Sequence, residues 1–318
     1  MHDLTLTAPG SGSTCTIAVD CGFNCYAFTA HVGGQTVDVI AAEDQFVNDR
    51  IKPSHSGIPL LAPFPNRIRD GKFTFDGRDY VLDPDVVGFN TTNAIHGFAI
   101  DKPWRVTEQS EDSATGQFQL SVDAPERLSS WPADFLIEVK YFLTGATLRA
   151  DVRIANPDDK PLPFGFGTHA YFQLPLTQKG SPATAIVQSP AAARWLLEDG
   201  LPTGETEPVD GKPGYDLRGG VPFADLSLDD VFTDVSTDDG VLKTVIREPE
   251  SGFRIEQRTD DSFREIVGFT PPWCDAVCLE PYTCTTDAIN LAARGIDGGL
   301  RVLGPGEEWR GWFEIEVD

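Results

Sequence analysis

The stretch "DFLIEVKYFLTGATLRADVRIANP" (residues 134–157) alternates apolar and polar side chains on both sides of Thr144-Gly145. Phe135, Ile137, Val139 and Tyr141 fall on one face of an extended chain, and Leu148, Ala150, Val152 and Ile154 do the same on the return. A period of two with one apolar face marks an antiparallel pair lying half-buried on a core. The segment "GKFTFDGRDYVLD" (71–83) repeats the design on a smaller scale, with two short runs around Asp76-Gly77, a dipeptide suited to a tight hairpin turn. "FRIEQRT" (253–259) and the closing "WFEIEVD" (312–318) continue the alternation.

Helix signals are few. "SPAAARWLLEDG" (189–200) predicts a short helix ending at Gly200, and "ERLSSW" (126–131) predicts one further turn. The 30 glycines and 24 prolines are spread along the chain, which suits many turns and no single linker. "GSPATA" (180–185) and "DGKPGYDLRGG" (210–220) read as excursions at a rim. With no solenoid period and no strand–helix alternation, the 318 residues are read as a single all-β domain (1–318), a large antiparallel β-sandwich with few short helices.

The composition narrows the function. The formal charge is −24, from 25 basic and 49 acidic residues, so the surface repels nucleic acid and anionic membranes. No apolar run approaches the roughly 20 residues of a membrane span, and no basic-then-apolar leader is visible. A cytoplasmic protein, monomer or homodimer, is expected. Cys15, Cys21, Cys25, Cys274, Cys278 and Cys284 form no CxxC pair and are expected as reduced, mostly buried thiols.

Phosphate loops, GxSxG elbows and HExxH pairs are absent, so chemistry has to come from scattered residues meeting on a concave face. Among five histidines, His2, His31 and His55 sit in polar or terminal settings and read as surface residues. His169 is the only group that titrates near neutral pH in "LPFGFGTHAYFQLP" (162–175), and His96 precedes Gly97 in "NAIHGF". Each is either a core histidine or a proton carrier in a dry pocket. In "DAVCLEPYT" (275–283) Ala276, Cys278 and Glu280 share one face of an extended chain, and Pro281 then closes the ladder. Glu280 is a rim charge or a carboxylate of tuned pKa. Arg67, in "PLLAPFPNRIRDGKF" (59–73), offers a planar fork of donors for polyol or carboxylate oxygens, or for a surface ion pair. Asp229 and Asp230 are neighbours on an extended chain and point to opposite faces, so one of them at most enters a given pocket.

Taken together these segments resemble the aldose 1-epimerase (galactose mutarotase) family, in order and across nearly the whole chain. "NRIRDGKFTFDGRDYVL" resembles its Asn-Arg segment before a hairpin, "NAIHG" its Asn-x-x-His-Gly motif, and residues 131–157 its long central hairpin. "FGTHAYFQL" resembles its Thr-x-His-Ser-Tyr-Phe-x-Leu motif, one residue shorter after Thr168 and with Ala170 for serine. "LPTGE", "DLR", "LDDVF", "CLEPYT" and "LGPGEEW" follow in family order. The resemblance implies a β-sandwich of the galactose mutarotase type with a concave sugar-binding face, and interconversion of the α and β anomers of a free aldose without cofactor or metal. It implies Glu280 as general base and His169 as general acid, with Arg67, His96, Asn66 and an aspartate of "LDDVF" on sugar hydroxyls. Family spacing places that aspartate at Asp229, with Asp230 as the alternative. On this reading the pair's mutual attraction raises the histidine pKa and keeps Glu280 ionised. Pro63, Pro65 and Tyr282, the last standing where many members carry Gln, depart from the pattern and leave the preferred sugar open. Three other functions compete. A hexose-6-phosphate mutarotase needs a basic cluster, a sugar-binding domain needs no acid or base, and a metal hydrolase would use His96, His169 and Glu280.

Overall fold

The computed structural model describes residues 1–318. Two antiparallel sheets dominate it. A nine-stranded sheet carries the hairpin Leu136–Thr144 and Thr147–Ala155 near its middle, next to the C-terminal strand Glu308–Val317. The register is as the alternation predicts, with Val139 opposite Val152 and Tyr141 opposite Ala150. These side chains are fully or almost fully buried, whereas Glu138, Lys140 and Arg149 between them are not. The second sheet runs through Leu201–Pro208, Ala191–Glu198, Asp229–Val235, Glu265–Phe269 and Ala276–Tyr282, then Gly167–Thr168 and Leu60–Leu61, with Tyr171–Gln173 as a further partner of Ala276–Tyr282. One apolar core, continuous from Leu4 to Val317, fills the space between. A four-stranded sheet of N-terminal residues adds Ile17, Phe28 and Val37 to it. The chain is therefore an all-β antiparallel sandwich with few short helices. No helix is long and apolar enough to cross a membrane.

Asp76 and Gly77 both take positive φ, 47° and 72°, the conformation a two-residue hairpin loop demands. "ERLSSW" contributes to a 3-10 turn over Pro125–Ser130, and all six cysteines are free.

Two expectations are corrected. The segment 189–200 holds no helix: Ala191–Glu198 is a strand paired on both sides. Its alanines and leucines favour a helix locally, but the two ladders outweigh a propensity worth only tenths of a kcal/mol per residue. Asp199 and Gly200, read as a helix stop, have φ of 51° and 73° and form the turn of a second Asp-Gly hairpin, with Glu198 opposite Leu201. Pro281 does not close the ladder either; the strand runs on to Tyr282. On one side the neighbour Tyr171–Gln173 reaches only Cys278, and Gly167 pairs only at Tyr282, so the missing N–H of Pro281 falls in a gap between two partners.

Candidate active site

Every residue of Ala276–Tyr282 is buried, yet its two faces differ. Val277 and Leu279 enter the main core, and the Leu279 carbonyl accepts a 2.8 Å bond from Gln257 of the nine-stranded sheet. Cys278, Glu280 and Tyr282 point the other way, and Glu280 lines a cleft of about 400 Å³ on the outer face of the second sheet. Ladder register arranges that face in rungs. Asp229, Phe269 and Cys278 lie opposite one another; Val231, Val267 and Glu280 form the next rung; Glu265 and Tyr282 follow.

His169 reaches the same floor from the neighbouring segment, where its backbone N–H donates to Pro59 (3.1 Å). Its Nε2 lies 3.3 Å from Glu280 Oε1, and both side chains are almost fully buried. The imidazole stacks on Tyr171, with centroids 4.7 Å apart and planes 8° from parallel. His96 meets it edge-on at 5.5 Å. His96 has φ of 64° and its N–H donates to the Asn66 carbonyl. The small residue behind it serves the backbone: a Cβ on Gly97 would stand 2.1 Å from the Ala62 carbonyl oxygen. Gly167 plays the same part for Glu280's neighbour, since a Cβ there would meet the Tyr282 ring at 2.2 Å. The Tyr282 hydroxyl in turn donates to Glu280 Oε2.

Asn66 and Arg67 form the adjoining wall. Arg67 Nη1 donates to Asn66 Oδ1 at 3.0 Å, and the guanidinium packs against Gly200 of the second Asp-Gly turn. Among the residues lining the cleft it is the one lysine or arginine. The two aspartates separate as their alternation requires. Asp229 lines the cleft, whereas Asp230 turns away to Arg194 (2.6 Å). The structure thus brings Glu280, His169, Arg67, His96, Asn66 and Asp229 to one hollow and leaves Asp230 outside it.

His55, expected on the surface, lines the mouth of this cleft and stacks on Trp273 at 4.2 Å. Its partner lies far along the chain, and its own polar neighbours say nothing of that contact. Phe269, Phe89 and Trp273 complete an aromatic rim that sequence reading missed.

Burial governs the electrostatics. It pulls His169 down to about 3. It pushes Glu280 well above the usual carboxylate range, with Asp229 adding to the rise and the Tyr282 hydroxyl and Arg67 opposing it. His96 is lowered by burial, by His169 and by Arg67. The expectation that mutual attraction fixes an ion pair is therefore corrected, because loss of hydration outweighs the attraction between the two groups. Both shifts favour the neutral form of each group, and the two side chains stand 3.3 Å apart.

Glu265, opposite Tyr282, is a second buried carboxyl; it accepts from Trp195 Nε1 (3.1 Å), its Oε1 accepts no hydrogen bond and stands 3.6 Å from Arg264 Nε, and burial pushes it up to about 8. A raised folded pKa gives stability that is full below the unfolded value of about 4.5 and is lost as pH rises through about 8. Urea unfolding of Glu265→Gln between pH 5 and 9 is expected to show a shallower loss of stability toward high pH than the wild type. Parallel slopes would place the carboxyl in water.

The sequence matches the family model described as Aldose 1-epimerase over residues 28–316. The uncharacterized protein YphB of Escherichia coli is 26% identical over 271 residues, covering 81% of this chain and 82% of its own. Galactose mutarotase of Sus scrofa is 30% identical over 159 residues, 48% of this chain and 42% of that protein. In three dimensions a galactose mutarotase-like protein from Clostridium acetobutylicum superposes with a TM-score of 0.86 at 21% identity, over 99% of this chain and 95% of the other. An aldose epimerase homologue from C. elegans gives 0.81 at 18%, over 100% and 98%.

Proposed function

Because the chain belongs to the aldose 1-epimerase family, we propose that it interconverts the α and β anomers of a free aldose, with Glu280 as general base and His169 as general acid. The observation that carries the reading is the 3.3 Å contact of these two groups on the floor of a cleft walled by Arg67, His96 and Asp229. A cyclic hemiacetal opens when its C1 hydroxyl loses a proton as the ring oxygen gains one. Glu280 carboxylate takes the first proton and His169 imidazolium gives the second. The C1–O5 bond breaks, the aldehyde turns about C1–C2, and the same transfers run backward on its other face.

Burial assists this cycle. Ring opening turns carboxylate and imidazolium into carboxylic acid and neutral imidazole, the forms that loss of hydration favours. The polar sugar supports the charged forms at the start, together with Arg67 and the Tyr282 hydroxyl, both of which favour ionised Glu280. Each paired acid–base group is typically worth about 10² to 10⁴ in rate, which is ample for a reaction that proceeds unaided in water. Arg67, His96, Asn66 and Asp229 hold the hydroxyls. A lining with one cation and two carboxylates, Asp229 and Glu280, suits a neutral sugar better than a phosphate ester.

Polarimetry with a panel of free aldoses and one phosphate ester tests the assignment. Glu280→Gln and His169→Asn are each expected to lose at least about a hundredfold in kcat, with the fold retained by circular dichroism. Arg67→Ala is expected to raise KM with a smaller change in kcat. Near-normal rates in either of the first two variants would remove that residue from its role.

Tyr282→Phe deletes a hydrogen bond to a charged oxygen and so raises the pKa of Glu280 further. The acid limb of kcat/KM is expected to move up by about one to two pH units, since such a bond is worth about 1.5–3 kcal/mol and one unit is about 1.4. An unmoved limb would separate the tyrosine from the base.

A further inference from the structure

Beside the floor of the cleft, buried on the same strand face as Glu280, lies a soft donor that the acid–base chemistry does not use. Cys278 stands two residues before Glu280 on the same face of its strand, opposite Tyr171, whose ring stacks on His169. Its Sγ, the imidazole nitrogen of His169 and a carboxylate oxygen of Glu280 all lie within 4.8 Å of one another, and all three residues are buried. The thiols of Cys21 and Cys25 are engaged with the carbonyls of Ile100 and Ala27, while that of Cys278 makes no hydrogen bond.

We infer that Cys278, His169 and Glu280 form a binding site for a zinc-class divalent ion, and that the ion held there inhibits the protein by occupying the position of the anomeric carbon. Imidazole, thiolate and carboxylate make a donor set suited to zinc, with bonds of about 2.0–2.3 Å. Tetrahedral bonds of that length set ligand atoms about 3.3–3.7 Å apart. Nε2 and Oε1 already stand at 3.3 Å, so the thiol has to close in, by about 1.3 Å at most. Tyr282 holds the other oxygen of Glu280, the kind of outer hydrogen bond that orients a ligating carboxylate. Three protein ligands leave the fourth position toward the cleft, where water or a sugar hydroxyl completes the shell. Metal and sugar then exclude each other, because the ion takes the lone pairs that the proton transfers need.

The site is read with Co²⁺ and Zn²⁺ on the full chain. One equivalent of Co²⁺ is expected to give a thiolate-to-metal charge-transfer band that is absent in Cys278→Ser. Calorimetry is expected to show Zn²⁺ binding one to one and at least tenfold weaker in Cys278→Ser; Cys278→Ala serves if serine disturbs the strand. His169→Asn is expected to weaken binding as well. A Co²⁺ spectrum without a sulfur band, or equal zinc affinity in wild type and Cys278→Ser, overturns the proposal. That arm needs no turnover, so it fails or stands apart from the proposed reaction. The inhibition arm rests on that reaction: zinc is expected to slow anomerisation reversibly, with EDTA restoring it, and Cys278→Ser, normalised to its own zinc-free rate, to need at least tenfold more. Equal sensitivity of wild type and Cys278→Ser counts against the proposal.

Discussion

A single strand with no exposed residue, Ala276–Tyr282, bears the constraint on which the rest depends. Its odd positions close the sandwich and its even positions carry Glu280 to the cleft. Val277 and Leu279 lie in the core, while Glu280 lines the hollow with Cys278 and Tyr282 buried beside it on the same face. A shift of one residue in its register would put a carboxyl into the core and a leucine into the site. Three partner strands guard against that slip, Glu265–Phe269 along one edge and Tyr171–Gln173 and Gly167–Thr168 along the other, with Asp229–Val235 and Leu60–Leu61 backing them. The Glu280–His169 contact is anchored by a sheet held on both sides.

The same burial that fixes the pair sets its chemistry. Two ionisable groups in contact, both short of water, do not settle into the salt bridge that their types suggest. Loss of hydration pushes the histidine down and the carboxyl up, away from their charged forms. A site of this kind is poised for a reaction in which one proton leaves the substrate as another arrives. It also concentrates lone pairs in a dry place, which is why the adjacent thiol of Cys278 turns the same floor into a site for a soft ion.

Period-two patterning made much of the fold legible, and local dipeptides supplied several turns. The central hairpin and the Asp76-Gly77 turn follow directly from residue order. The second Asp-Gly hairpin was hidden because Ala191–Glu198 has the composition of a helix, and only the ladders on either side decide against it. Within the cleft, alternation separated Asp229 from Asp230 in principle but did not say which faced inward; the Arg194 partner of Asp230 supplies the answer. His55 was misread because its stacking partner Trp273 is distant in sequence, and local polarity carries no trace of such a contact. The charge state of the Glu280–His169 pair was misjudged for a related reason: sequence shows that two groups attract, but the depth of their burial is a property of the folded sheet.

The central claim is spatial, that one sugar carbon sits between His169 and Glu280. A crystal structure of Glu280→Gln with a bound aldose tests it directly, since the amide keeps the shape of the carboxyl and slows turnover. The account predicts the ring oxygen within about 2.6–3.2 Å of His169 Nε2 and the C1 hydroxyl at the same distance from the residue 280 side chain. A sugar seated in the cleft with its anomeric carbon turned toward Trp273 and the solvent would contradict it.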